Sequence, residues 1–218
     1  MTNQDICKKY YINLTNSYLK TFFSSNVNEN IHKALESNID IHMFKRSPRR
    51  LPRIVKTIGM LKQMNPSSVL EIGCGQGVFL WTLLNEFPHF TVRVLDIKSE
   101  HIDRVNNVAK NSNLDLFGYN MDIEKYYENY SNESYDIVTC LEVLEHIENW
   151  KKAIGIACHF CKNFVIFSFP SKEDDNPEHI HLLDKQKVSQ EILKNSGMVK
   201  TKFDYVNGHI FIIGRKEM

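Results

Sequence analysis

The stretch Val69-Leu-Glu-Ile-Gly-Cys-Gly-Gln-Gly77 contains a short apolar run, an acidic residue and three alternate glycines. The apolar run predicts a buried strand, and Val78-Phe-Leu-Trp-Thr-Leu-Leu84 after it has the apolar density of a buried helix. A strand, a glycine turn and a helix bring backbone N–H groups close to a nucleotide-like ligand. Glycine suits the turn because side chains would block that approach or forbid the backbone angles.

The spacing of the glycines separates two classes of ligand. Dinucleotide-binding turns usually follow the pattern G-x-G-x-x-G, in which the helix N-terminus faces a pyrophosphate. Here the glycines are Gly73, Gly75 and Gly77, and Val78 takes the position of the third dinucleotide glycine. The run from Glu71 to Gly77 resembles instead the first motif of the class I S-adenosylmethionine (SAM)-dependent methyltransferases.

Composition narrows the class of protein. A chain of 218 residues is long enough for one α/β domain with an appendage. Its net charge of +1 exerts no general attraction on nucleic acid or membranes. The chain has no run of about 18 apolar residues, so we expect no membrane span. Five cysteines without framework spacing, and an N-terminus unlike a secretory signal, predict a reduced, cytoplasmic location.

Beyond the glycine turn, strand and helix patterns alternate, which is typical of a parallel sheet covered by helices on both faces. The predicted strands are Ser68–Ile72, Thr91–Asp96, Leu114–Tyr119, Tyr135–Cys140 and Phe164–Phe169. The predicted helices are Val78–Asn85, Glu100–Asn111, Tyr126–Tyr130, Glu148–Cys161 and Asp184–Asn195.

The end of the chain has a different pattern. The apolar runs Val199–Val206 and His209–Arg215 flank Asn207-Gly208, which is the strongest short signal for a β-hairpin. A parallel sheet closed by an antiparallel hairpin resembles the methyltransferase sheet, and ordinary dinucleotide folds lack that hairpin. We therefore predict a Rossmann-like α/β fold with a seven-stranded, mostly parallel sheet and an antiparallel C-terminal hairpin.

The pattern of residues 1–52 predicts an N-terminal helical extension. We expect residues 53–218 to form the methyltransferase domain. Polar clusters interrupt the extension, and no glycine precedes Gly59. We expect this extension to be a lid and specificity element. The pairs Tyr10-Tyr11 and Phe22-Phe23 either line an acceptor pocket or dock the extension onto the sheet.

A basic cluster lies at the junction of these two parts. It consists of Lys45-Arg46-Ser-Pro-Arg49-Arg50, followed by Arg53 and Lys56. Such a cluster predicts either a solvated entry to a helix or an anion contact near the mouth of the pocket.

Asp96 ends the second predicted strand, nineteen residues after Gly77. An acid there is placed to accept both ribose hydroxyls of a nucleoside, although a solvated strand end also suits aspartate. The resemblance implies that Asp122 meets the adenine amino group and that its apolar neighbours sandwich the ring. It also implies that Glu71 lies under the amino end of the methionine moiety. Asp122 could equally be the N-cap of a helix before Glu124.

The fourth predicted strand leads into Glu142-Val-Leu-Glu-His146, at the edge where open α/β sheets bind ligands. This pattern resembles the family's motif after strand four, and it also resembles the small-RNA 2′-O-methyltransferases and the ubiquinone-pathway O-methyltransferases. The predicted SAM-binding residues are Glu71, Gly73, Cys74, Gly75, Gln76, Gly77, Asp96, Ile97, Met121, Asp122, Ile123, Leu141 and Glu142.

Three roles are open for Glu142, Glu145 and His146. They could hydrogen-bond the loop under SAM, or His146 could act as a general base. They could also join His179 or His181 around a divalent metal that acidifies an acceptor hydroxyl. The metal is possible but not favoured, because the pattern also occurs in methyltransferases without one. We predict His146 and Glu142 as the catalytic residues.

The resemblance implies methyl transfer from SAM. We predict an O- or N-methyltransferase for a small-molecule acceptor, active as a monomer or homodimer. One alternative is an RNA 2′-O-methyltransferase with a metal at Glu142, Glu145, His146 and His181. The net charge and the lack of an evident RNA module do not favour nucleic acid as a partner. The other alternative is a non-catalytic SAM-binding subunit.

Overall fold

The computed structural model describes residues 8–23, 27–46 and 51–217, apart from the side chains of residues 27–29. Its strands are β1 (Ser68–Ile72), β2 (Thr91–Asp96), β3 (Leu116–Asn120), β4 (Tyr135–Leu141), β5 (Cys161–Pro170), β6 (Met198–Val206) and β7 (His209–Lys216). They form a seven-stranded sheet in the order β3-β2-β1-β4-β5-β7-β6. Neighbours among β1 to β5 are parallel, and β7 is antiparallel to β5 and β6. The predicted fold is therefore confirmed.

The helices in the described ranges are α1 (Ile12–Leu19), α2 (Val27–Glu36), α3 (Pro52–Met64), α4 (Leu80–Glu86), α5 (Ser99–Lys110), α6 (Ile123–Tyr130), α7 (Trp150–Phe160) and α8 (Lys185–Leu193). Short 3₁₀ turns occur at His42–Phe44 and Leu144–His146. In the part of the chain described, no helix combines the length and apolar character needed to cross a membrane.

The element boundaries follow the sequence predictions with local shifts. β1 and β2 have the predicted bounds, and the hairpin strands agree within one residue at each end. α4 begins at Leu80 rather than Val78, because the glycine turn continues into these residues. β5 begins at Cys161 rather than Phe164, because α7 ends at Phe160 and passes into the strand without a loop.

The sheet is apolar on both faces because helices cover both. Val69 packs into a core shared with residues of α1, α3, α4 and α5, whereas the next residue, Leu70, packs with α6, α7 and α8. In the same way, Ile137 packs in the first of these cores and Val138 in the second. This alternation follows from the pleat of a strand, in which successive side chains point to opposite faces.

The N-terminal extension docks onto α4, which covers one face of the sheet. Tyr10 and Tyr11 are fully buried, and the Tyr11 and Thr82 hydroxyls lie 2.8 Å apart in a hydrogen bond. Phe44 packs against Trp81 of α4 with ring centroids 4.8 Å apart. For Tyr10-Tyr11, these contacts favour the docking role over the lining of an acceptor pocket.

Candidate functional site

A cavity of about 510 Å³ opens at the carboxyl ends of β1 to β4. Its lining residues are Ile72, Gly73, Gly75, Leu95, Asp96, Ile97, Lys98, His101, Met121, Asp122, Ile123, Glu124, Glu142, Val143, His146, Ile147 and Glu178. Open α/β sheets bind their ligands at this edge. A larger depression of about 680 Å³ runs along the edge strand β3 and shares Met121 with this cavity.

The glycine turn forms one wall of the cavity. Gly73, Gly75 and Gly77 have φ values of +72°, +53° and +79°, in the left-handed region. A Cβ atom at Gly77 would lie 2.1 Å from Nε1 of Trp81, and one at Gly73 would lie 2.4 Å from Cγ2 of Val143. At Gly75 a Cβ would meet nothing within 4 Å. The turn is therefore tightly packed from behind at Gly77 and open toward the cavity at Gly75.

Asp96 lies beside this turn with its carboxylate in the cavity wall. Its Oδ2 accepts a hydrogen bond from the Gly75 N–H at 2.8 Å, and its Oδ1 accepts from the Lys98 N–H at 2.9 Å. The turn and the end of β2 are thus joined through one carboxylate. A side chain in this position can accept hydrogen bonds from the hydroxyls of a nucleoside.

The segment after β3 forms the opposite wall. Met121, Asp122 and Ile123 all line the cavity, together with Ile97, which is 72% exposed. Asp122 is also the N-cap of α6, since its Oδ1 accepts from the Lys125 N–H at 2.7 Å. Its other carboxylate oxygen makes no hydrogen bond with the described residues. Both roles considered for Asp122 therefore fit its position.

Glu71 and Cys74 lie behind the turn and do not line the cavity. Burial raises the pKa of Glu71 to about 8, and the charge of Asp96 adds to the rise. The Glu71 Oε2 atom is buried and has no hydrogen-bond partner among the described residues. Burial, followed by the nearby carboxylates, also raises the pKa of the Cys74 thiol, which is therefore no nucleophile.

We expect Glu71→Gln to flatten the pH dependence of stability. The folded protein keeps a proton on Glu71 between about pH 4.5 and 8, whereas the unfolded chain releases it. Stability should therefore fall as pH rises through this window, by about 1.4 kcal/mol per pH unit. Thermal unfolding from pH 5 to 9 should show a shallower fall for the variant. An unchanged slope would contradict this; exposed Glu100→Gln is the control.

Glu142 directly follows β4 and has an unusual backbone conformation. Its φ of +59° lies in the left-handed region, which a non-glycine residue adopts only when its surroundings impose it. The carboxylate Oε1 accepts from the Ser168 hydroxyl at 2.6 Å. Its Oε2 lies 2.6 Å from Nδ1 of His209, without the alignment of a hydrogen bond. Glu142 is thus held between β5 and β7 while it lines the cavity.

Glu145, His146 and His179 form a cluster whose possible ligand atoms lie within 4.8 Å of one another. Glu145 is 1% exposed, and neither carboxylate oxygen has a hydrogen-bond partner among the described residues. Burial raises the pKa of Glu145 to about 8. The exposed His146 donates from Nδ1 to the Glu178 carbonyl oxygen at 2.9 Å. These residues could hold a metal ion.

This cluster contains Glu145, His146 and His179 from the ligands considered in the sequence, without Glu142 or His181. The carboxylate of Glu142 instead contacts Ser168 and His209. His181 turns away, with Nε2 3.1 Å from the Glu148 carbonyl oxygen. The Ile180 N–H donates to the Glu145 carbonyl oxygen and brings the preceding His179 to the cluster instead.

The remaining predicted SAM-binding residues are Gln76, Gly77 and Leu141, and none of them lines the cavity. Gly77 and Leu141 are packed behind it, and the Gln76 Oε1 atom accepts from Arg104 at 2.7 Å. His101 and Lys98 line the cavity but were not predicted. Both follow Asp96 by a few residues, and this nearness is the one signal that could have identified them.

The residues of the basic cluster make several different contacts. Lys56 pairs with Asp204, and Arg46 donates to the Tyr10 carbonyl oxygen. Arg53 is half-buried, and its guanidinium makes no hydrogen bond or ion pair with the described residues, although its charge opposes the rise in the Glu145 pKa. Pro48, Arg49 and Arg50 lie outside the described residues.

The sequence matches the methyltransferase domain family over residues 40–211. The chain belongs to this family, and its sheet order is that of the class I SAM-dependent methyltransferases, as the sequence predicts. An O-methyltransferase family protein from Burkholderia thailandensis has a similar fold, with a TM-score of 0.62 and 13% identity. The similarity covers 87% of this chain and 60% of that one.

Two curated relatives each match about half of the chain. The ubiquinone biosynthesis O-methyltransferase of Rickettsia canadensis is 31% identical over 109 residues, which are 50% of this chain and 44% of the relative. The malonyl-[acyl-carrier protein] O-methyltransferase 2 of Ilyobacter polytropus is also 31% identical over 109 residues, which are 49% of this chain and 40% of the relative. The chain thus matches less than half the length of either relative.

Proposed function

We propose that this protein transfers a methyl group from SAM to an oxygen or nitrogen atom of a small-molecule acceptor. The observation that carries the proposal is the cavity in which the glycine turn, Asp96 and the Met121–Ile123 segment converge. The two curated relatives, both O-methyltransferases by name, support an oxygen acceptor.

The residues around the cavity fit SAM. The open space at Gly75 admits a ligand against the backbone, and Asp96 offers a carboxylate to ribose hydroxyls. Met121 and Ile123 offer apolar surfaces to adenine. Glu71 lies behind the turn rather than in the cavity wall, so a contact with the amino end of the methionine moiety would need a bridging water. Bound SAM supplies an electrophilic methyl group on its sulfonium, so the protein mainly aligns the acceptor.

We place the acceptor beside Glu142 and His146, at the β4 side of the cavity. The Glu178 carbonyl oxygen holds Nδ1–H of His146, which leaves Nε2 as the nitrogen that can take a proton from the acceptor. Glu142 shapes the same wall. We further propose that the N-terminal extension, of which residues 8–23 and 27–46 are described, acts as a lid over the acceptor. Four free cysteines among the described residues support a reducing, cytoplasmic location.

Isothermal calorimetry tests the donor, and radiolabelled SAM tests the acceptor. We expect binding of SAM and of its demethylated product S-adenosylhomocysteine, and no binding of NAD. Incubation with labelled SAM and a panel of hydroxyl- and amine-bearing metabolites should label one chemical class. Tight NAD binding without binding of SAM would overturn the proposal. Binding without labelling of any acceptor would favour the non-catalytic subunit.

A second candidate is methyl transfer assisted by a divalent cation. The buried, unpartnered Glu145 carboxylate beside His146 and His179 favours it. A cation held there would acidify an acceptor hydroxyl, including a 2′-hydroxyl of RNA.

We expect His146→Ala to reduce turnover by roughly 10²-fold or more, because it removes the proposed base, and to leave SAM affinity within about twofold. We expect a chelator to leave wild-type turnover unchanged. His181→Ala, whose imidazole turns to Glu148, is the matched control. Turnover lost on chelation and restored by a divalent cation would instead support the second candidate. Unchanged turnover of His146→Ala would remove both roles.

A further inference from the structure

The two edges of the sheet differ in how their outward backbone groups are bonded. At the β3 edge, the Asn106 side chain of α5 accepts from the Gly118 N–H at 2.9 Å and donates to the Gly118 carbonyl oxygen at 3.0 Å. β6 is the other edge and pairs with β7 alone among the described strands. Its residues 202–205 are all exposed. Such an edge is a template for pairing with another strand.

The turn between β6 and β7 determines which backbone groups of β6 face outward. Residues 206–209 form a two-residue hairpin turn whose central φ values, +45° and +83°, are positive as type I′ requires. The residues that flank such a turn are bonded to each other, and bonded residues alternate along an antiparallel pair. The backbone groups of Thr201, Phe203 and Tyr205 therefore point away from β7. In agreement, the Tyr205 N–H donates to the carboxylate of its neighbour Asp204 at 2.8 Å.

The two faces of this edge strand have different chemistry. On one face, Asp204 pairs with Lys56 of α3. On the other face, Lys185 Nζ of α8 lies 4.5 Å from the ring centroid of Phe203 and 4.7 Å from that of Tyr205. These two rings are still 49% and 55% exposed. The edge thus offers charged groups on one face and uncovered aromatic surface on the other.

The strand is complementary to an antiparallel copy of itself. If Phe203 of one copy lies opposite Phe203 of another, Lys202 lies opposite Asp204 and Thr201 lies opposite Tyr205. Opposite charges, two aromatic rings, and an aromatic ring beside a β-branched residue are favourable cross-strand pairs. A slip by two residues would place Lys202 opposite Lys202, or Asp204 opposite Asp204, and like charges repel. A slip by one residue would exchange the faces. Charge and pleat therefore select one register.

We propose that the β6 edge is the interface of a homodimer, in which the β6 strands of two copies pair antiparallel about a twofold axis at Phe203. The outward backbone groups supply the hydrogen bonds between the strands. The Tyr205 N–H exchanges its bond to Asp204 for one to Thr201 of the second copy, and Asp204 then pairs with Lys202 of that copy. The contact is isologous, so each of these pairs occurs twice. The inference goes beyond the proposed function and does not depend on it.

Sedimentation velocity over a concentration series tests this interface by charge reversal. We expect the wild type to dimerise. Lys202→Glu and Asp204→Lys should each weaken dimerisation by about tenfold or more, because the unlike pairs become like pairs. An equimolar mixture of the two variants should restore dimerisation, since unlike charges again lie opposite each other in the mixed pair. Phe203→Pro removes an outward N–H without breaking a bond to β7 and should abolish dimerisation.

Lys110→Glu is the matched control, because it reverses an exposed charge on α5, which packs against β2 and β3 near the opposite edge. Circular dichroism checks that each variant is folded. If Asp204→Lys does not fold without its Lys56 pair, Lys202→Glu and Phe203→Pro still decide the outcome. A dimer that these variants leave intact, or a mixture of the two charge variants that stays monomeric, would overturn the inference. A wild type that is monomeric at every concentration would also overturn it and would leave the β6 edge to a strand of another protein.

Discussion

Asp96→Ala should weaken SAM binding by roughly 10²- to 10⁴-fold. We propose that this carboxylate accepts two ribose hydroxyls, and hydrogen bonds to a charged group are worth about 1.5–3 kcal/mol each. The other acidic residues that line the cavity among the described residues are Asp122 and Glu124 on the opposite wall and Glu142 and Glu178 on the β4 side. Calorimetry with SAM and with S-adenosylhomocysteine would measure the loss.

The control for Asp96→Ala is Asp115→Ala. Asp115 precedes β3 at the opposite end of the sheet and forms an exposed ion pair with Arg93. Its removal should leave SAM affinity unchanged, since exposed pairs contribute at most about 1 kcal/mol to stability. Asp96→Asn keeps one oxygen for the Gly75 or Lys98 N–H and separates ligand contact from support of the turn. Wild-type affinity in both Asp96 variants would refute the ribose role.

Gly77→Ala should destabilise the fold by about 2–5 kcal/mol. A left-handed conformation costs a non-glycine residue about 1–2 kcal/mol, and overpacking adds about 1–3 kcal/mol. The new Cβ would lie 2.1 Å from the Trp81 indole, a buried ring that cannot move without disturbing the core. Denaturant unfolding would measure the loss of stability.

Gly75→Ala is the matched substitution with the opposite expected result. Its Cβ meets nothing within 4 Å, so only the conformational cost at φ +53° remains, about 1–2 kcal/mol. The methyl group would occupy the space through which a ligand reaches the backbone. We therefore expect Gly75→Ala to lose SAM binding while it stays folded. If Gly75→Ala bound SAM normally, or Gly77→Ala were as stable as the wild type, our assignment of these glycines would be wrong.

Local patterns were enough to predict the sheet. Each strand from β1 to β5 is a short apolar run, and Asn207-Gly208 marks the hairpin directly. The exact start of β5 could not be predicted, because nothing between Phe160 and Cys161 marks a boundary. Periodicity reports on burial, and both the end of α7 and the start of β5 are buried.

Contacts between distant segments could not be predicted. The approach of His209 to Glu142 depends on the register that pairs Leu141 with Ser168 and Pro170 with His209. A one-residue slip would move His209 to the other face of the sheet. The selection of His179 rather than His181 for the cluster depends likewise on how the loop after β5 is bonded to Glu145.

Trp81 contacts both the glycine turn and the N-terminal extension, which are separate segments of the sequence. Its indole N–H donates to the Gln76 carbonyl oxygen within the glycine turn, and its ring packs against Phe44 of the N-terminal extension. The chain has one further tryptophan, Trp150. In a Trp150→Phe protein, the intrinsic fluorescence would come from an indole that contacts both the ligand-binding turn and the candidate lid. The protein thus contains its own optical probe of communication between them, and no attached dye is needed.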